Sequence, residues 1–253
     1  MSARPALVAL GVLALLVALA VQLAGDGLYG ARAAAGSLPR ALAGDWPFAL
    51  AARTGLDRLG AVRVALARGA LVRGEPARAA ALLAPLPAAA VVVDLRGRSA
   101  LAGGDPALAL RDFAAAGDFI AAQSTIETLG ARDPVAALAI VRDFERTLDT
   151  GVAGPEIAAE VEWREGQIAA LAAAREPARA NAYLRAALAA YGRALALAPD
   201  DEKYLLNDAF VALKLGDVTG ACATYARAAQ VVPGSADALA GLAAAAARGR
   251  CAP

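Results

Sequence analysis

An all-α fold of stacked helical hairpins is the class this sequence predicts, and three observations carry the prediction. The first is composition: the chain is 59% hydrophobic but only 5% aromatic, because alanine supplies most of the apolar count. Alanine is the strongest helix former, and its small side chain lets helices approach closely. The second is an echo. Pro199 and Pro233 stand 34 residues apart; Ala187, Tyr191 and Ala194 precede the first at the same offsets as Ala221, Tyr225 and Ala228 precede the second. A period of 34 with small-aromatic-small spacing and a closing proline marks a helix-turn-helix repeat. The third is a turn that recurs along the chain, described below.

The elements follow in order. Residues 6–24 form an uncharged apolar run of 19, broken in character only by Gln22. At about 1.5 Å per residue a helix of that length reaches roughly 28 Å, near the hydrocarbon thickness of a bilayer. Residues 1–24 are therefore expected to be a transmembrane signal-anchor, with a cleaved signal peptide as the alternative. Arg4 and the free amine favour an inside amino terminus, which places the following domain outside the cytoplasm, in the periplasm or cell exterior. Residues 25–57, rich in Gly, Pro and Ala, read as a juxtamembrane linker carrying short helices.

The solenoid is expected over 58–253, most regular over 156–253. Its turns are Gly74-Glu75-Pro76, Gly104-Asp105-Pro106, Arg132-Asp133-Pro134, Arg175-Glu176-Pro177 and, without proline, Gly216-Asp217-Val218. The logic is shared: a carboxylate suits the positive amino end of the coming helix, and proline fits its first position. Five such turns imply five hairpins, each unable to bury its apolar face without neighbours. The prolines are spaced by 30, 28 and 43 residues. In the long interval Ala180, Ala187 and Ala194 recur at seven, so the second helix of the fourth hairpin is expected to be extended, from about Pro177 to Ala198. Residues 235–247 read as a capping helix with Ser235 at its amino end.

Residues 202–234 resemble a tetratricopeptide repeat. Ala209 and Gly216 fall where its first helix needs a small residue and a stop, and Ala221, Tyr225, Ala228 and Pro233 lie along the second. The stretch holding Trp163, Gly166 and Tyr191 to Pro199 is similar, with an insertion. The resemblance implies a concave face built from the first helix of each unit, where an extended peptide or partner helix binds. In the last unit that face would carry Lys203, Asn207, Phe210 and Lys214; the lysine and asparagine resemble the pair with which some members hold a carboxylate.

Composition narrows the chemistry. The chain has no histidine, which removes Ser-His-Asp and Cys-His nucleophiles and most zinc, copper and haem sites. No cofactor and no metal is expected, and the chain is read as a non-enzyme. A net charge of +1 offers no basic stripe for nucleic acid. Acidic residues such as Asp143, Glu145, Glu160, Glu162 and Glu165 lie among arginines at helical spacing and read as solvated faces. Cys222 and Cys251 are an even pair in a chain placed outside the cytoplasm; a disulfide stapling the cap is one reading, two free thiols the other. The expected role is a membrane-anchored interaction scaffold of the cell envelope, its partners proteins and its anchor residues 6–24. The alternative is a permanent structural subunit of a larger membrane assembly, without a free groove.

Overall fold

The computed structural model describes residues 59–249 and 251. The expected anchor (6–24) and linker (25–57) lie outside them, and no helix among the described residues is long and apolar enough to cross a membrane. Among the described residues there are 11 α-helices and no strand. The chain divides into two compact units, Met1–Ala84 and Pro85–Pro253.

In the first unit, α1 (Gly60–Val72) and α2 (Pro76–Leu83) form one hairpin. Leu66, Ala67, Ala70, Ala79 and Leu83 are its buried residues of greatest apolar weight. The second unit holds four further pairs: α3 (Ala90–Ala102) with α4 (Pro106–Ala116), α5 (Phe119–Arg132) with α6 (Pro134–Thr147), α7 (Thr150–Arg175) with α8 (Ala180–Leu197), and α9 (Glu202–Leu215) with α10 (Val218–Val231). The single helix α11 (Ala236–Ala246) ends it. Each of the five turn motifs opens the second helix of a pair.

Local chemistry explains these turns. Gly216 adopts φ 88°, a left-handed conformation that closes α9, and the Asp217 amide donates back to the Ala212 carbonyl at 3.0 Å. Asp217 Oδ1 then accepts from the Gly220 amide at 2.8 Å, satisfying one of the open donors of α10. Asp105 caps α4 the same way. At the turn before α6, which has no glycine, Asp133 serves both helices: it ends α5, and its Oδ1 accepts from the Val135 and Ala136 amides at 3.1 Å each. Ser235 caps α11 through the Ala238 amide.

The fourth pair differs from expectation in two respects. Pro177–Arg179 forms a 3-10 turn rather than the first turn of α8. Glu176 donates no cap to that helix; its carboxylate instead accepts from the Tyr183 hydroxyl at 2.9 Å. The added length is also shared by both arms. Gly154 breaks the helical path at φ 80°, ψ 163°, so the straight arm of α7 runs from Pro155 to Arg175. It faces the 18 residues of α8, whereas α9 and α10 have 14 each.

Tyrosines wedge between neighbouring helices where glycine leaves room, Tyr191 within the fourth pair and Tyr225 between α10 and α11. A Cβ on Gly166 would stand 2.3 Å from the Tyr191 ring, and one on Gly241 would stand 2.2 Å from that of Tyr225. One apolar core in the second unit runs from Ala109 and Phe113 through Ile126, Val141, Trp163 and Tyr191 to Val211. A separate cluster joins Ala209, Leu213, Ala221, Cys222, Tyr225 and Ala245 near the carboxyl end. First helices meet one another as α5 with α7, α7 with α9, and α9 with α11. They form a continuous layer.

Candidate functional site

The predicted stripe lies on α9 and splits into two environments. At its amino end Lys203 is committed within the chain. Its Nζ donates to Glu160 Oε2 on α7 at 2.7 Å and stands 3.9 Å from the centre of the Trp163 ring. The Tyr204 hydroxyl approaches the same oxygen at 3.3 Å, and Arg164 Nε donates to the other carboxylate oxygen at 3.1 Å. Arg164 also pairs with Glu127 on α5. Asn207 Nδ2 donates to the Lys203 carbonyl at 2.7 Å. The lysine ammonium and the asparagine amide thus meet internal acceptors, and Glu160 holds the position that an incoming carboxylate would take.

The other half of the stripe is open. Phe210 is 50% exposed, and Lys214 Nζ lies 5.3 Å from the centre of its ring. Among the described residues Lys214 has no carboxylate within ion-pair distance. The two side chains border a depression of about 330 Å³ between α9 and α11, whose far wall is Gly241, Ala244 and Arg248. Arg248 Nη1 donates to the Leu213 carbonyl at 3.3 Å, which fixes one edge of its guanidinium across the depression. Sequence reasoning found Phe210 and Lys214 but not this wall. The alanine run of α11 shows no polar signal, and Arg248 lies beyond its last turn.

The acidic residues read as solvated faces divide. Asp143 does lie at the surface, paired with Arg111 and Arg146. Glu162 and Glu165 do not: both are buried, Glu165 to 2% exposure. Arg193 on α8 donates to Glu162 at 2.7 Å, to Glu145 at 3.3 Å and to Glu165, while Arg142 on α6 donates to Glu165 at 2.6 Å. The correction has a physical cause. Glu162 and Glu165, three residues apart, share a face of α7 that meets Arg142 on α6 and Arg193 on α8, and these arginines lie 23 to 31 residues away. Burial, with Glu145 beside it, raises the Glu165 carboxyl above its ordinary range against the pull of Arg142. Carboxylate oxygens of Glu145, Glu162 and Glu165 come within 4.8 Å of one another. The shared guanidinium neutralises part of that charge, as a network that locks α6, α7 and α8 together.

Cys222, at the start of α10, and Cys251, beyond α11, are joined as a disulfide with Cα atoms 5.5 Å apart. Arg248, on the Leu213 carbonyl, and Gly249, beside Val218, lie next to the turn between α9 and α10, close to the start of α10. Asp208, beneath the stripe on α9, faces Thr224; burial pushes its carboxyl up to about 6, Asp217 adds to the rise and Thr224 opposes it. These residues give the face an internally neutralised half and an open half in which Phe210, Lys214 and Arg248 line the depression together with Asp237. The chain matches no protein-family model and no curated protein.

Proposed function

We propose that this protein is a membrane-anchored interaction scaffold of a cell-envelope complex, a tetratricopeptide-like solenoid that takes a partner peptide or helix on the face of its first helices. The observation that carries the reading is the open half of that face. A half-exposed aromatic beside an ammonium without a carboxylate, at the rim of a depression, offers a partner an apolar contact and a free cation at one place. Behind it α5, α7 and α9 are cross-linked by the Arg164–Glu127 and Lys203–Glu160 ion pairs, so little ordering of these helices is needed on binding. Anchoring through residues 6–24 would raise the local concentration of the array near membrane partners, and modest groove affinity would then suffice. The domain faces the periplasm or cell exterior in this reading, and no catalytic step is assigned to it.

Photo-crosslinking in cells, from probes placed at Phe210 and at Asn207, tests the proposal. A discrete protein adduct from Phe210, lost on Lys214→Glu, is expected, and weaker adducts from Asn207. Phe210 and Lys214 are exposed, so Phe210→Ala and Lys214→Glu should leave the melting temperature within about a degree or two of the parent. Absence of any adduct from Phe210 in the anchored protein would remove the groove reading. Copurification of the partner without crosslinking, at fixed stoichiometry through stringent washing, would instead favour a permanent structural subunit.

A further inference from the structure

We propose that the Cys222–Cys251 disulfide is a redox latch that holds α11 in place, so that the wall of the Phe210 depression exists only in the oxidised protein. The proposal is independent of what the depression binds.

Non-covalent contacts give α11 a weak hold. Its sequence is ADALAGLAAAA, and of its residues only Ala238 and Ala245 are buried. Leu242 packs at the edge of the carboxyl-terminal cluster, while Leu239 is 52% exposed. Methyl groups remove little apolar surface from water, and burial scales with that area. Among the described residues no ion pair joins α11 to another helix, and its one capping bond, from Ser235, is its own; what ties it to α9 and α10 is the Tyr225 ring against Gly241 and, just beyond the helix, one bond from Arg248 Nη1 to the Leu213 carbonyl. Packed neighbours are α9 and α10 alone, since α11 ends the described array.

Covalent geometry supplies what packing lacks. The turn at 232–235 ties the amino end of α11 to the carboxyl end of α10. The disulfide ties the segment after α11 to Cys222, the fifth residue of α10. The helix is thus strapped at both ends across a sequence separation of 29 residues. When the strap is closed, a detached α11 remains confined beside its docking surface. Opening it gives the detached state the freedom of a chain end, worth on the order of a hundredfold in the docking equilibrium for a loop of this size.

The bond is open to attack on one side. Cys222 is buried, whereas Cys251 is only half-buried. A dithiol reductant, as its thiolate, would attack the Cys251 sulfur and expel the Cys222 thiolate, which takes up a proton. The second thiol of the reductant then attacks the mixed disulfide, releasing the Cys251 thiol and leaving the reductant as a cyclic disulfide. One disulfide is reduced to two thiols and one dithiol is oxidised. Detachment of α11 then uncovers Tyr225, Leu213 and Ala209, and removes Gly241, Ala244 and Arg248 from the depression.

Hydrogen exchange on the purified full-length chain, oxidised and after dithiothreitol, reads this directly. Alkylation with mass measurement counts the thiols in each sample. In the oxidised protein no alkylated cysteine is expected, and after reduction two. Amides of 236–246 should then exchange on the order of a hundredfold faster, while those of 202–215 and 218–231 keep most of their protection. A Cys222→Ser/Cys251→Ser variant without reductant should match the reduced protein. Two alkylatable thiols in the untreated protein would overturn the proposal. So would unchanged protection of α11 after reduction, or a simultaneous collapse of α9 and α10 in both the reduced protein and the variant.

Discussion

At the scale of single residues, Arg193 shows how position decides what a charge contributes. Its guanidinium answers three carboxylates, one of them almost fully buried, while being 43% exposed itself. Removing one partner of a buried pair leaves an uncompensated charge, at a cost of about 3 to 5 kcal/mol when both are buried. The exposure of Arg193 discounts this, and Arg193→Ala is expected to destabilise by about 2 kcal/mol in urea unfolding. Arg227, paired with the 72% exposed Asp200, is the control: Arg227→Ala should cost less than about 0.5 kcal/mol. Equal losses in the two variants would mean that the network carries no special weight. Asp208 makes the opposite case. Its folded carboxyl is raised from 3.8 to about 6, mainly by burial. A carboxyl raised on folding favours the native state while protonated, so its contribution is complete below pH 4 and is lost as pH rises to about 6. Asp208→Asn should therefore raise stability at pH 7 by about 1 kcal/mol, the partial exposure of the group limiting the gain, and should change little at pH 4. The comparison of unfolding midpoints at the two pH values checks the sign, and a variant less stable at pH 7 would refute it.

At the scale of elements, the sequence is most informative where chemistry is local. A carboxylate followed by proline, or Asp217 before Val218, is enough to place the start of a second helix; at Asp105, Asp133 and Asp217 the capping oxygen and the amide that donates to it lie within three residues, whereas Glu75 and Glu176 make no cap bond and proline alone marks the start. Asp133 is the clearest instance, since one side-chain oxygen serves two amides without help from a glycine. Asp133→Ala is expected to destabilise the second unit by about 1 kcal/mol, with Asp133→Asn recovering most of it, by thermal unfolding. A null effect would show that solvent satisfies those amides equally well. What escaped the sequence is non-local. The burial of Glu162 and Glu165 depends on Arg142 and Arg193, which no spacing rule connects to them. The capture of Lys203 depends on Glu160, 43 residues earlier, and on the ring of Trp163. The seven-residue recurrence in α8 correctly signals an elongated helix, yet its matching extension in α7 carries no such repeat, and only the break at Gly154 sets where that arm begins. The open depression is legible on the α9 side alone, because its other wall is made of alanines that look the same on every face.

At the scale of the whole second unit, contact pattern governs how damage spreads. Helices of that unit touch their own partner and the adjacent pair, and the carboxyl-terminal cluster around Tyr225 is distinct from the long core that ends at Val211. Stability in such an array is close to a sum of intrinsic and nearest-neighbour terms. Tyr225 is buried against Gly241 and anchors α9, α10 and α11 together. Tyr225→Ala would remove about 3 to 5 kcal/mol at that site, judged from other large-to-small aromatic substitutions. Under nearest-neighbour coupling the loss stays local: amide protection should fall over 218–246, fall partly over 202–215, and stay at the parent level over 90–147. Native-state hydrogen exchange resolves these segments separately. A uniform drop from 90 to 246 would instead make the unit a single cooperative block. The separation of the two apolar clusters would then have no energetic meaning, and release of α11 could not occur without unfolding the pairs that precede it.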